Sequence, residues 1–142
     1  MKILVLNGPN LNMLGKREKE HYNTFTLTDV EIELKKTFPD FYFEFFQSNH
    51  EGELIDKIQS ADSYFDGIII NPGGFSHTSV AIRDALTVCK TVKVEIHISN
   101  LSTREDFRKT LLTAAACDGY ISGFKLQSYI AGAFLIKQLS NY

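Results

Sequence analysis

Short runs of strand-forming residues, each followed by apolar residues at helical spacing, recur along this chain and limit its possible folds more than any other feature. Ile3 to Leu6 is an apolar run closed by Asn7-Gly8-Pro9-Asn10. After a polar stretch from Asn12 to Thr24, Leu27, Val30, Leu34 and Phe38 trace one helix face. Thr26 or Thr28 is placed to cap that helix, and Pro39 ends it. Phe41 to Phe46 is aromatic-rich and suits a strand, and Leu54, Ile55, Ile58, Ala61 and Phe65 follow at helix spacing. Gly67 to Asn71 reads as a third strand, stopped by Pro72-Gly73-Gly74. Thr78, Ala81, Ile82, Ala85, Leu86 and Cys89 then mark a helix with Ser76 as its expected N-cap. Val92 to Ile98 is a fourth strand, Thr103 to Thr110 a short charged helix, Asp118 to Gly123 a fifth strand, and Tyr129 to Leu139 a final helix.

Strands that alternate with helices pair in parallel, because each crossover helix returns the chain to the same end of the sheet. The expected architecture is α/β: a flavodoxin-like, doubly wound five-stranded parallel sheet in a single domain over residues 1–142. Such sheets bind ligands beyond the carboxyl ends of their strands, near the reversal in strand order. Here three of those ends carry Asn, Gly, His and Ser: Asn7-Gly8-Pro9-Asn10, Asn71 to His77, and Glu95 to Asn100.

The fourth strand is the most informative. Val94, Ile96 and Ile98 alternate with Glu95, His97 and Ser99, so a period of two puts Glu95 and His97 on one side. A carboxylate beside an imidazole orients the ring and selects its tautomer. The same pattern also fits a polar face on an edge strand, or a structural pair at a subunit contact. The Asn71 to Thr78 segment reads as a turn entering a helix, where free N–H groups favour an anion. The charged run Lys16 to Tyr22 lies in a long loop and reads as solvated or as a lid. Arg104 and Arg108, four apart, read as solvated charges or as an anion clamp.

Several classes fall away. With Lys+Arg 15 against Asp+Glu 17 there is no basic footprint, so no nucleic-acid partner is expected. Cys89 and Cys117 are in no zinc-type spacing and read as reduced buried thiols. The four histidines are scattered, so no metal site is expected. No GxGxxG follows the first strand and no P-loop is present. The apolar run before Asn7 is only four residues, Ile3 to Leu6, and the longest uncharged apolar stretch, Tyr129 to Ile136, is far below the roughly 20 residues of a membrane span. The expectation is a cytoplasmic protein with no membrane partner.

Taken together, Leu6 to Asn12, Leu14 to Glu18, Gln47 to Leu54, Ile70 to Gly74 with His77 to Asp84, and Glu95 to Asn100 with Arg104 to Arg108 resemble type II 3-dehydroquinate dehydratase. The resemblance implies a flavodoxin-like enzyme that dehydrates 3-dehydroquinate to 3-dehydroshikimate in the shikimate pathway, without cofactor or metal. It implies a homo-oligomer, a dodecamer built of trimers. By the same resemblance Tyr22 is the base, Arg17 favours its phenolate, and Asn10 holds a water at the enolate oxygen. His97, oriented by Glu95, is the acid. Asn71 and the main chain of Ile98 and Ser99 hold the substrate carboxylate. His77 and Arg108 bind ring hydroxyls, and Asp84 reaches them from a neighbouring subunit. The chain departs from the family pattern at Lys19, Asn23, Lys109 to Leu112, and at Lys125 and Ser128, where the family has glycines. The competing readings are a non-catalytic flavodoxin-like ligand-binding module and a flavin- or nucleotide-binding protein of the same fold.

Overall fold

In a computed structural model, which describes residues 1–16 and 25–141, five strands run parallel in one sheet. They are β1 (Lys2–Asn7), β2 (Tyr42–Gln47), β3 (Gly67–Asn71), β4 (Val92–His97) and β5 (Gly119–Ser122), in the order β2-β1-β3-β4-β5. The chain steps outward from β1 to β2 and then crosses back past β1 to β3. The reversal of direction therefore falls between β1 and β3, the arrangement expected of a flavodoxin-like doubly wound sheet. No helix among the described residues is long and apolar enough to cross a membrane.

Alternation along the strands divides the core into two layers. Ile3, Val5, Ile69, Val94 and Ile96 face α1 (Leu27–Thr37) and α4 (Gln127–Leu139), meeting Val30, Leu34, Tyr129, Ala133 and Ile136. Leu4, Leu6, Ile68 and Ile70 face α2 (Glu51–Ala61) and α3 (Val80–Val88), meeting Leu54, Ile58, Ile82 and Leu86. β4 lies between β3 and β5, so its polar face is not that of an edge strand. Glu95 and His97 point toward the α2–α3 layer, since their neighbours Val94 and Ile96 pack in the other one.

Local chemistry settles the helix ends. Thr26, not Thr28, caps α1: its hydroxyl accepts from the Asp29 N–H while the Asp29 carboxylate accepts from the Thr26 N–H, a reciprocal capping box. Two expectations are corrected. Residues Gly73–His77 form a 3-10 turn, which delays α3 until Val80 and makes Ser79 the N-cap in place of Ser76. The helix expected over Thr103 to Thr110 is instead two short 3-10 turns, Leu101–Thr103 and Asp106–Lys109, joined by extended residues. A stretch that short makes too few hydrogen bonds to offset helix nucleation; Asn100 caps only the first of the two turns, its side chain accepting from the Ser102 N–H. Both cysteines are free; Cys89 is buried and Cys117 only partly so. Burial holds both thiols above their ordinary range.

Asp62 closes the connection from α3 to β4. Its carboxylate accepts from the Thr91 hydroxyl at 2.7 Å and from the backbone N–H groups of Lys90 and Thr91 at 2.9 and 2.8 Å. The Thr91 hydroxyl is the largest influence holding this carboxyl well below the usual range. A depressed folded-state pKa gives stability that is present above the unfolded value, about 3.9, and lost as pH falls through the folded one. Asp62→Asn is therefore expected to lower the urea midpoint at pH 7, with the gap to wild type narrowing below about pH 4. Equal midpoints at pH 7 would refute this.

Candidate active site

An open cleft lies beyond the carboxyl ends of β1, β3 and β4, with about 830 Å³ of empty space including its mouth. Asn10, Asn71, His77, His97, Ile98, Ser99 and Arg108 all line it, together with Arg104. Glu95 stands behind His97. Asp84 does not join them: it is exposed on α3, in a separate groove with Ala81 and Ala85 and with Ile55 and Gln59 of α2. Arg17 and Tyr22 lie outside the described residues.

Glu95 is fully buried, and its two oxygens are held from three sides. Oε1 lies 2.7 Å from His97 Nε2 and accepts from the Ser76 hydroxyl at 2.7 Å. Oε2 accepts from the Thr113 hydroxyl at 2.6 Å. A carboxylate only accepts, so Nε2 of His97 carries the hydrogen and Nδ1 is the nitrogen free to meet a ligand. Ser76 and Thr113 are themselves fully buried, and the Leu112 N–H donates to the Ser76 carbonyl at 2.8 Å. The serine expected as a helix cap thus supports Glu95 instead. A buried carboxylate with every donor in place is rigid and is costly to disturb.

The other face of the sheet carries a second buried network under the same cleft. Asn7 and Asn71 are partners in register across β1 and β3, at the reversal of strand order. The Tyr129 hydroxyl, from α4, donates to Asn7 Oδ1 at 2.5 Å and accepts from Asn71 Nδ2 at 3.3 Å. Asn71 Oδ1 accepts from the Gly73 N–H at 3.2 Å.

The rim is built from loops. Gly8 passes so close to Pro72 that a Cβ there would sit 2.4 Å from the Pro72 carbonyl oxygen. Asn10 follows in the left-handed region (φ 69°), which asparagine tolerates better than most residues, and its N–H donates to Asn49 Oδ1 at 3.0 Å. His77 Nδ1 lies 2.8 Å from the Thr110 carbonyl oxygen. A carbonyl only accepts, so Nδ1 carries the hydrogen and a neutral His77 offers Nε2 as an acceptor. Its ring stacks on His97, with centroids 6.3 Å apart, and meets the edge of Phe107. Arg108 Nε donates to Glu105 at 2.7 Å, and Arg104 donates to the Ser99 hydroxyl at 3.3 Å. The anion-favouring helix start expected at Asn71 to Thr78 is corrected by the late onset of α3, whose Ile82 N–H is already taken by Ser79. Among the described residues, Arg104 and Arg108 bring positive charge to the cleft, without sharing a helix face.

A family model for class II dehydroquinases matches residues 1–136. The chain belongs to the class II dehydroquinase family. Its 3-dehydroquinate dehydratase relative from Thermotoga petrophila is 51% identical over 140 residues, covering 97% of this chain and 96% of that one. The 3-dehydroquinate dehydratase of Prochlorococcus marinus subsp. pastoris is 53% identical over 131 residues, covering 91% of this chain and 90% of that one. Among solved structures, the type II dehydroquinase of Butyrivibrio crossotus superposes with a TM-score of 0.93 at 45% identity, covering 96% of this chain and 97% of that one. That of Propionibacterium acnes gives 0.88 at 34%, covering 99% and 97%.

Two departures of this dehydroquinase from the family pattern now have a structural account. Ser128, at a family glycine, is fully buried; its hydroxyl donates to the His97 carbonyl and accepts from the Phe124 N–H, both at 3.2 Å. Lys125, at the other, keeps a glycine-like backbone with φ 55°, and its N–H donates to the Ile98 carbonyl at 3.0 Å. A side chain in that region costs about 1–2 kcal/mol. Lys125→Gly is therefore expected to raise stability by about 1 kcal/mol, read as a higher urea midpoint with unchanged turnover; a lower midpoint would refute it. Sequence reasoning missed Asn7, Thr113 and Tyr129, and misread Ser76. For Tyr129 a faint signal existed, a hydroxyl opening the uncharged apolar run from Tyr129 to Ile136.

Proposed function

We propose that the protein is a 3-dehydroquinate dehydratase, a lyase that removes water from 3-dehydroquinate to give 3-dehydroshikimate in the shikimate pathway. The observation that carries this reading is the buried Glu95, which presents His97 to a cleft shared with Asn71, His77 and Arg108. The reaction breaks a C–H bond beside a ketone and a C–O bond to a departing hydroxyl. Tyr22, as phenolate, takes the proton, and the electron pair moves into an enolate. Arg17 favours the phenolate by its charge, and Asn10 holds a water that donates to the enolate oxygen. The enolate re-forms the ketone as the C–O bond breaks, and the leaving oxygen takes a proton from His97, so water departs. Asn71 and the main chain of Ile98 and Ser99 hold the carboxylate, while His77 and Arg108 hold ring hydroxyls. No step calls for a cofactor or a metal.

Asp84 contributes from a neighbouring subunit in a dodecamer of trimers, which its exposed place on α3, apart from the cleft, supports. The protein works in the cytoplasm. The test is ultraviolet absorbance of the conjugated enone formed from 3-dehydroquinate, on protein whose particle size in solution is measured in parallel. Growth of absorbance is expected from a particle of about twelve chains. Saturable binding without absorbance growth would instead favour a non-catalytic module.

A further inference from the structure

Tyr129 is fully buried beneath the cleft, and the mechanism above gives it nothing to do. Its surroundings can be read outward from one unambiguous donor. A backbone N–H only donates, so the Gly73 N–H must meet the oxygen of the Asn71 amide. The nitrogen end of that amide therefore faces the Tyr129 hydroxyl, which must accept from it. Having accepted there, the hydroxyl sends its own hydrogen to Asn7 Oδ1. Burial holds the phenol well above its ordinary range, opposed in part by the Asn71 hydrogen bond, so that hydrogen stays in place at neutral pH. The result is an amide locked at both ends, with one hydrogen of Asn71 Nδ2 on Tyr129 and the other left for the cleft.

We propose that Tyr129 is a positioning residue that, together with the Gly73 N–H, holds the polarity of Asn71, keeping it a donor toward the cleft and so a holder of carboxylate. This deepens the role given to Asn71 above and rests on that reading. A turned amide would put its oxygen toward a carboxylate and repel it. Tyr129→Phe removes the acceptor, so the amide is held only by Gly73.

The experiment is steady-state kinetics with 3-dehydroquinate on wild type, Tyr129→Phe, Asn71→Ala and the double variant, each checked for particle size. Tyr129→Phe is expected to raise KM about tenfold, with kcat changed less than about threefold. In the Asn71→Ala background the same substitution is expected to change KM less than about twofold, because it acts through Asn71. A purely structural tyrosine would lower stability without that split and without that dependence. Unchanged KM, or the same rise in both backgrounds, overturns the proposal. If wild type shows no turnover, the functional reading fails by itself. Calorimetric binding of 3-dehydroquinate then decides the proposal by the same cycle, and no binding overturns both. Should Tyr129→Phe not fold, Asn7→Ala frees the tyrosine hydrogen to donate toward Asn71, and the same rise in KM is expected. Loss of the folded particle in both variants assigns the network to stability alone and overturns the proposal.

Discussion

Glu95→Gln is expected to fold normally and to lose about a hundredfold or more in turnover, whereas Glu95→Ala is expected to lose about 3 kcal/mol of stability as well. Glutamine has nearly the shape of glutamate. Its oxygen takes the place of Oε1, accepting from His97 Nε2 and from Ser76. Its nitrogen takes the place of Oε2 and donates to the Thr113 oxygen, whose hydroxyl turns to suit. The network stays satisfied, but the negative charge opposite the imidazolium is gone. Alanine instead strands two buried hydroxyls and a ring N–H around a cavity. Turnover is followed by enone absorbance and stability by urea unfolding. A glutamine variant with wild-type turnover would remove the Glu95–His97 pair from the chemistry.

Tyr22→Phe is expected to lower kcat by about 10²- to 10⁴-fold while 3-dehydroquinate still binds. A phenol titrates near 10 in water, so as a base at neutral pH it needs a neighbouring cation. Arg17, five residues earlier in the same charged run, is the one this chain offers by its family pattern. Single-turnover absorbance with an excess of enzyme separates chemistry from binding. Near-normal turnover would sink the base assignment.

Much of the fold was legible because its signals are local. Ile3 to Leu6, Gly67 to Asn71 and the helix face of Leu27, Val30, Leu34 and Phe38 each declare their element within a few residues. So was the pair at the centre of the site, since Glu95 and His97 are two apart on one strand and the pleat alone puts them side by side. Where local propensity was weak the reading failed: a short charged segment after β4 looked helical, and Ser76 looked like a cap. Ser76 found a distant partner in Glu95, and the charged segment was too short to hold more than single 3-10 turns.

The sequence by itself determined the alternation of strand and helix, and hence the parallel sheet and the end at which its cleft opens. It also placed the polar residues at the strand ends, because periodicity and turn chemistry act over a few residues. The tertiary structure alone decided what stands behind them. Thr113 reaches Glu95 across 18 positions, and Tyr129 reaches Asn71 across 58 and Asn7 across 122. No local period encodes such partners. They meet because the order β2-β1-β3-β4-β5 brings the ends of β1 and β3 together, and because α4 docks across β3 and β4. Polar groups buried by that packing had to find one another there, since water was no longer available to them.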